Sequence, residues 1–187
     1  YAFKLVWAPL VDRMPIPVLT RLLGRRRSWL LLSQLAIMAG LVAMSFNDPK
    51  VALLPVVWGA LAVAFGSATQ DIALDAFRIE SANTERQAAL AAAYQTGYRL
   101  AMIWAGAGVL WIAARAEVAP VAQAAVATAG ANYQHGAWQT AYLVMAASML
   151  LGMDTVLLSP EPAGRVLTPA RNAVEWLKGA LVEPFAD

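Results

Sequence analysis

Cysteine is absent from this chain of 187 residues, and histidine occurs once, at His135. The absence of cysteine excludes disulfides, thiolate catalysis and cysteine-based metal sites. Charge is also scarce, because 14% of the residues are Asp, Glu, Lys or Arg against about 25% in ordinary soluble domains. The net charge of +2 is too small to indicate a nucleic-acid-binding protein, and no basic run is interleaved with aromatic residues. Apolar residues, in contrast, make up 60% of the chain and indicate an integral membrane protein.

Long apolar segments predict four membrane-spanning helices, at residues 29–46, 51–77, 88–114 and 137–158. The first apolar stretch, 1–11, is shorter than the roughly 20 residues that a spanning helix needs. We interpret it as the second half of a helix and expect the chain to be a fragment of a longer membrane protein. The alanine-rich segment 115–136 exceeds a usual connection between helices and is long enough to hold a short surface helix.

The cluster Ser159, Pro160, Glu161 and Pro162 ends the last predicted span. Apolar residues then recur at helical spacing within 163–187, with charged residues on the other face. The pattern predicts either an amphipathic helix on the membrane surface or a plain linker helix. The chain thus divides into a helical bundle, 1–162, and a linker, 163–187.

The distribution of Lys and Arg predicts the orientation of the spans. One side would carry ten such residues, namely Arg13, Arg21, Arg25, Arg26, Arg27, Arg78, Arg86, Arg165, Arg171 and Lys178. The other side would carry only Lys50 and Arg115. The arginine-rich side is therefore predicted to face the cytoplasm.

Asp71 and Asp75 lie inside the second span and share one face of it, because they are four residues apart. A carboxylate within the bilayer costs roughly 2.5–3.5 kcal/mol, so it usually faces a bundle interior or a water-filled path. Gln70 precedes them and offers a polar contact to a solute. Asp71 is predicted to lie deeper than Asp75, which could instead be an interfacial partner of Arg78.

Other polar groups lie within the apolar segments at Lys4, Gln95 and Arg99. The guanidinium of Arg99 suits a substrate carboxylate, but a structural ion pair with Asp71 is the alternative. Tyr98 flanks Arg99. Lys4 is predicted to lie at the depth of Asp71, or to extend to the interface. Trp7 could stack on a sugar ring, although a tryptophan in a membrane helix more often packs or faces lipid.

No nucleophile–base pair, metal cluster or phosphate-binding loop occurs in the sequence, and His135 falls in a predicted outer loop. A membrane-embedded transferase would need a catalytic base in a span, and none of the spans contains a histidine. A scaffold or sensor, in which the charges form internal ion pairs only, stays open as a second alternative to transport. The glycines Gly106 and Gly108 suggest close helix packing. We expect no cofactor and no metal.

Two stretches resemble the loop motif of the major facilitator superfamily: Asp12-Arg13 after Ala8-Pro9-Leu10-Val11, and Gly24-Arg25-Arg26-Arg27. Here ten residues separate the two parts, a wider spacing than is usual. The fuller similarity is to the AmpG-like muropeptide permeases within that superfamily. It rests on residues 3–10, 24–29, 67–72, 75–77, 97–100 and 160–162, in order along the chain. The related acetyl-CoA transporters share parts of this pattern.

The resemblance implies an all-α membrane protein: part of an N-terminal six-helix bundle, with half of the second helix plus four spanning helices. It also implies that the linker 163–187 is cytoplasmic and leads to a C-terminal half outside this sequence. It implies a multi-pass inner-membrane importer that uses protons to carry anionic glycopeptides released from the cell wall. Asp71 and Asp75 would carry the proton. The solute would meet Lys4, Trp7, Gln70, Gln95, Tyr98 and Arg99. A cytoplasmic gate would consist of Asp12, Arg13, Gly24, Arg25, Arg26 and Arg27.

Overall fold

The computed structural model describes residues 7–8, 11–12, 14–121 and 133–162. All regular structure in these ranges is helical. Lys4, Arg13 and the predicted linker 163–187 lie outside the described residues. The short pieces at 7–8 and 11–12 are helical too, in agreement with the helix predicted over the first stretch.

The helices follow one another with short connections. They are α1 (Leu19–Leu23), α2 (Arg25–Ser45), α3 (Leu53–Ser81), α4 (Thr84–Ile103), a π-helical turn (Trp104–Gly108), α5 (Val109–Val121) and α6 (His135–Leu158). Within the described part of the chain, four helical segments are long and apolar enough to cross a membrane: Arg25–Ser45, Leu53–Ser81, Thr84–Glu117 and His135–Leu158. The predicted four-span architecture is therefore confirmed.

The polar stretch 78–87, which the sequence predicts as the connection between the second and third spans, is mostly helical. Helix α3 continues to Ser81 and α4 begins at Thr84, so only two residues connect them. Arg, Glu and Gln are good helix formers, so the loss of apolar character does not end a helix. The Gln87 side chain also donates hydrogen bonds to the carbonyls of Ile79 (3.0 Å) and Ala82 (2.8 Å), which close the end of α3.

The third span also differs from its predicted limits. It runs without a break from α4 through the π-helical turn into α5, so the first residues of the predicted outer segment 115–136 are helical. Arg115 and Glu117 lie within this extension, where both residue types favour helix. His135, predicted to lie in a loop, is instead the first residue of α6. The π-helical turn had no counterpart among the sequence predictions.

Helices α2 and α3 pack closely because glycines face each other between them. An ideal Cβ on Gly40 would lie 2.8 Å from the carbonyl oxygen of Gly59, and one on Gly66 would lie 2.9 Å from Ile37 Cγ1. Small residues allow such close approach in membranes, where packing rather than water exclusion drives association. The packing role predicted for Gly106 and Gly108 is not met within the described residues. A Cβ on Gly106 would meet nothing within 4 Å, and Gly108 lies under the Trp104 ring of its own helical segment.

Two parts of the bundle differ in how far they are covered. Helix α2 lies between α3 and α6 and has eleven buried residues, whereas no residue of α4 is buried by the rest of the described chain. Above the π-helical turn, α5 packs again, against α6. The uncovered helix α4 carries Tyr98 and Arg99, so the predicted solute-binding residues lie on an open face.

The glycine contact gives a stability prediction. Gly40→Ala should lower the stability of the full-length protein by about 1–3 kcal/mol, because the added methyl group meets backbone that cannot rotate away. Thermal unfolding in detergent measures the change as a lower midpoint. Gly97→Ala is the matched control, since a Cβ there meets nothing within 4 Å. Equal midpoints for the two variants would contradict the close contact.

Candidate functional site

A polar stripe runs along α3 on the side away from α2. Asp71, Asp75 and Arg78 are spaced by four and three residues and therefore lie on one face of the helix. Asp71 is half-buried, whereas the Asp75 side chain is 53% exposed. Arg78 Nη2 lies 3.4 Å from Asp75 Oδ1. The Asp75–Arg78 contact is the pairing that the sequence analysis gave as the alternative role of Asp75. The predicted order of depth in the membrane stays a prediction.

Tyr94 and Tyr98 of α4 lie beside this stripe. Their rings stack with centroids 6.4 Å apart and an interplanar angle of 27°. The Arg78 guanidinium lies 5.2 Å from the centroid of the Tyr94 ring, and both aspartates lie within electrostatic range of the Tyr94 hydroxyl. Because α3 and α4 run in opposite directions from a two-residue turn, Tyr94 and Asp71 are each about 15 Å along their helix from that turn. The two helices thus form one surface with carboxylates, a guanidinium and two aromatic rings.

Gln70 does not belong to this surface. It lies one helical turn after Gly66, which faces α2, and its side-chain oxygen is buried without a hydrogen-bond partner among the described residues. Because consecutive residues of an α-helix differ by about 100° around its axis, the Gln70 and Asp71 side chains leave the helix in different directions. The predicted contact between Gln70 and a solute therefore stays a prediction, on a different face from the aspartates.

Gln95 and Arg99 are exposed on α4. Each follows one residue after a stacked tyrosine, so both lie on a neighbouring face of the helix. Arg99 makes no ion pair with another residue of the described ranges, and the alternative of a structural pair with Asp71 is not seen there. The predicted contact of Arg99 with a solute stays a prediction.

Trp7 is held between helices. Its indole Nε1 donates a hydrogen bond to Thr69 Oγ1 at 3.0 Å, and Thr69 in turn donates to the Phe65 carbonyl at 2.9 Å. The Trp7 ring lies 4.8 Å from the Phe65 ring and meets Trp29 edge-on at 6.4 Å. These contacts favour the packing alternative over sugar stacking, because neighbouring rings already occupy the surroundings of the indole.

A second polar cluster joins the helices at the end of the bundle that carries the arginine-rich loop. Arg26 is 5% exposed, and its guanidinium binds Glu80 through two hydrogen bonds, at 3.0 Å and 2.6 Å. It also donates to Asp12 through Nη1. One guanidinium thus connects the first helical segment, α2 and α3. Arg25 lies within electrostatic range of Glu80.

Glu161, just after α6, completes this cluster. Its carboxylate accepts hydrogen bonds from the backbone N–H groups of Arg26 (2.8 Å) and Arg27 (3.2 Å), which are free donors at the start of α2. Arg27 acts in the opposite direction, since its side chain donates to the carbonyls of Val156 (2.8 Å) and Leu157 at the end of α6. The carboxylate of Glu161 thus caps the N-terminal end of α2, and the guanidinium of Arg27 caps the C-terminal end of α6. Each charge has the sign that the dipole of the capped helix favours.

Gly24 makes this reciprocal capping possible. Its φ of +88° lies in the left-handed region, which glycine adopts at no steric cost. A Cβ built there would lie 2.3 Å from Glu161 Cδ, so any side chain would displace the carboxylate. Of the predicted gate residues, Asp12, Gly24, Arg26 and Arg27 meet in one cluster. Sequence reasoning missed Glu80 and Glu161, although the Pro160-Glu161-Pro162 motif was a signal for the second.

The opposite end of the bundle holds a cavity of about 60 Å³. Tyr133 lies there between Lys50, 4.7 Å from the ring centroid, and Asp48. Partial burial and then the nearby Asp48 carboxylate raise the pKa of Tyr133 above its usual value. The cavity is lined by Met44, Asn47, Pro49, Val56, Tyr133, His135, Trp138, Gln139 and Tyr142. The loops that the charge count placed on opposite sides therefore lie at opposite ends of the bundle.

Within the described ranges no group of three or more His, Cys, Asp or Glu side chains could hold a metal ion. Within the described residues, four helices of membrane-spanning length and composition indicate a multi-pass membrane protein.

Comparison with known proteins identifies the relatives. No family model matches the chain. The chain is 33% identical over 187 residues to the anhydromuropeptide permease of Escherichia coli (strain K12), covering all of this chain and 32% of that protein. It is 32% identical over its whole length to "Putative transporter AmpG 4" of Rickettsia felis, covering 41% of that protein. A homologue of the same name in Rickettsia conorii is 41% identical over 113 residues, covering 60% of this chain and 27% of that protein.

The chain belongs to the AmpG-like permeases of the major facilitator superfamily. It spans about a third of the length of the permease from Escherichia coli. Its relatives are named as permeases and transporters.

The charge cluster gives a second stability prediction. Arg26→Ala should destabilise the full-length protein by about 3 kcal/mol, because it leaves Glu80 partly buried without its cation and frees Asp12. Arg115→Ala is the matched control, since Arg115 is exposed and lies over the Trp111 ring at 4.7 Å, a contact worth at most about 1 kcal/mol. Thermal unfolding in detergent compares the two. If the cluster does not stabilise the protein, the two variants will unfold at the same midpoint temperature, which would contradict the prediction.

Proposed function

We propose that the protein is a proton-coupled secondary transporter that imports anhydromuropeptides across the inner membrane. The permease of Escherichia coli, which is named for such a solute, matches the whole of this chain. The observation that carries the proposal is the polar stripe on α3, where two carboxylates lie inside a membrane-length helix beside an arginine and two tyrosines. The whole activity belongs to the full-length protein, since this chain corresponds to about a third of that relative.

Asp71 is the proposed coupling residue, with Asp75 in a secondary role. A carboxylate at membrane depth is costly as a bare charge, so it tends either to bind a proton or to meet a cation. The Asp75 side chain is 53% exposed and lies 3.4 Å from Arg78, so water and the guanidinium both stabilise its charge. Asp71 is half-buried and one turn farther from the α3–α4 connection. A cation that approaches or leaves Asp71 during transport would release or recruit a proton, which is what coupling requires.

The proposed solute is an anionic glycopeptide, and the chain offers groups for each of its parts. Arg99 and Lys4 supply cations for carboxylates. Gln95 and Tyr98 supply hydrogen-bonding and ring surface next to Arg99. Trp7 and Gln70 are supporting groups in this proposal, because the first is packed between rings and the second lies on the face toward α2.

The charge cluster around Arg26 is the proposed gate at the cytoplasmic end. Transporters with two halves alternate access by moving one bundle against the other around a fixed site. Arg26 and Glu161 hold the helix ends of this half together, so they would move as one body. The C-terminal half of the same chain would supply the opposing surface. Arg13 lies next to Asp12 in the sequence and would extend the cluster.

The alternatives predict different fluxes. A transporter of another anionic solute, such as acetyl-CoA, would move that solute instead, and a scaffold or sensor would move neither. Uptake of labelled solutes into liposomes that contain the full-length protein separates these functions.

The coupling role predicts a specific defect. In the full-length protein, Asp71→Asn keeps the size of the side chain and removes its titration, so it should abolish accumulation driven by a proton gradient. Exchange of labelled for unlabelled solute at equal concentrations should persist, because no net proton movement is needed. Uptake and exchange are measured in the same proteoliposomes.

Asp75→Asn changes the carboxylate with the secondary role and should reduce accumulation only partly. If Asp71→Asn accumulates solute to the wild-type level, the coupling carboxylate lies elsewhere in the full-length chain.

The proposed orientation can be tested with single cysteines on a cysteine-free background. Arg21 and Lys50 are both exposed and lie at opposite ends of the bundle. A membrane-impermeant maleimide added to spheroplasts should label a cysteine at position 50 and spare one at position 21 until the membrane is opened. Labelling of position 21 alone would reverse the orientation. Arg26 is unsuitable for this purpose, because it is buried.

A further inference from the structure

The stacked tyrosines of α4 form an aromatic surface that the rest of the described chain does not cover. Tyr98 is 51% exposed, and Tyr94 is half-buried beneath the Arg78 guanidinium. Two rings one helical turn apart, inclined by 27°, present a nearly continuous apolar face. Aromatic side chains provide large contact area with few rotatable bonds, so little entropy is lost when a flat ligand settles on them.

The polar groups around these rings are mainly acceptors. Asp71 and Asp75 both lie within electrostatic range of the Tyr94 hydroxyl, and Asp75 is exposed. A ligand that lies on the rings therefore meets the exposed Asp75 carboxylate at their edge. Ionised carboxylates accept hydrogen bonds and donate none, so they select ligand groups with O–H or N–H donors. A pyranose combines such donors on its rim with apolar C–H groups on its face.

Arg78 positions these acceptors. Its Nη2 lies 3.4 Å from Asp75 and its guanidinium lies over the Tyr94 ring at 5.2 Å, so it fixes the carboxylate beside the aromatic surface. Arg78 Nε is buried and has no hydrogen-bond partner among the described residues.

Arg99 lies directly after Tyr98 but on the neighbouring helix face, without an ion pair in the described ranges. It is the first cation beyond the aromatic surface along α4, about 7 Å farther from the α3–α4 turn than Tyr94. A solute that carries a sugar at one end and a peptide carboxylate at the other could therefore contact both surfaces along one helix.

We propose that Tyr94, Tyr98 and Asp75 form a saccharide subsite, positioned by Arg78, and that Arg99 receives the carboxylate of the same solute. This division rests on the proposed function, and it adds a substrate orientation: the sugar lies toward the α3–α4 turn and the peptide lies deeper. Tyr94, Asp75 and Arg78 thereby acquire roles in solute recognition that are separate from proton coupling through Asp71.

The test uses the full-length transporter in proteoliposomes with a labelled N-acetylglucosaminyl-anhydromuramyl tripeptide. Two unlabelled competitors are added in turn. One is the same disaccharide without its peptide and with its lactyl carboxyl group blocked as the amide, and the other is the free tripeptide. Tyr94→Leu and Tyr98→Leu should weaken inhibition by the disaccharide roughly threefold to tenfold and leave inhibition by the tripeptide unchanged. Arg99→Gln should do the opposite. Tyr94→Phe and Tyr98→Phe keep the rings and should stay close to wild type.

Trp111→Leu is the matched control, because Trp111 is an exposed ring with an arginine over it on the same helical segment but at the other end. It should change neither inhibition. The saccharide subsite is overturned if the leucine variants lose both inhibitions equally, if they lose neither, or if Trp111→Leu matches them. Absence of labelled uptake by the wild-type protein would instead refute the proposed function itself.

Discussion

The buried Arg26 guanidinium is the interaction on which the arrangement of this bundle depends. It binds Glu80 at the end of α3 and Asp12 of the first segment, while the backbone N–H group of the same residue is capped by Glu161 after α6. Removing a cation from water is favourable only when carboxylates surround it with good geometry, and here the partners come from separate helices. Apolar contacts alone permit helices to slide in a bilayer, whereas this cluster sets which ends meet. It also fixes how the chain leaves α6.

Helix α3 joins that cluster to the candidate site because its faces serve different purposes. Gly59 and Gly66 let one face of α3 approach α2 closely. On a second face, Thr69 accepts a hydrogen bond from the Trp7 indole. Asp71 and Asp75 lie on a third face, toward the uncovered helix α4. Close glycine packing keeps α3 rigid, so the carboxylates are held in place while α4 beyond them has few contacts below the π-helical turn. π-Helical turns interrupt the regular hydrogen-bond ladder of a helix and often occur at functional sites.

Much of the fold could be predicted from the sequence because long apolar runs have few other interpretations. The ends of the helices could not, since Arg78, Glu80, Arg115 and Glu117 are polar and yet favour helix, so hydropathy and helical propensity disagree there. The stripe of Asp71 and Asp75 was predictable from spacing within one helix. Glu161 and Arg26 are separated by 135 residues, and no local pattern links them. The pairing of Trp7 with Thr69 and the exposure of Arg99 likewise depend on tertiary packing.

The central claim, that the polar stripe belongs to a proton-driven import pathway, is tested most directly by flux through the full-length protein. Proteoliposomes are prepared with an acidic exterior and a neutral interior, and a labelled anhydromuropeptide is added outside at a known concentration. The account predicts that the solute rises inside above its external concentration and that a protonophore returns it to equality. Uptake that never exceeds the external concentration, or accumulation that a protonophore leaves unchanged, would contradict it.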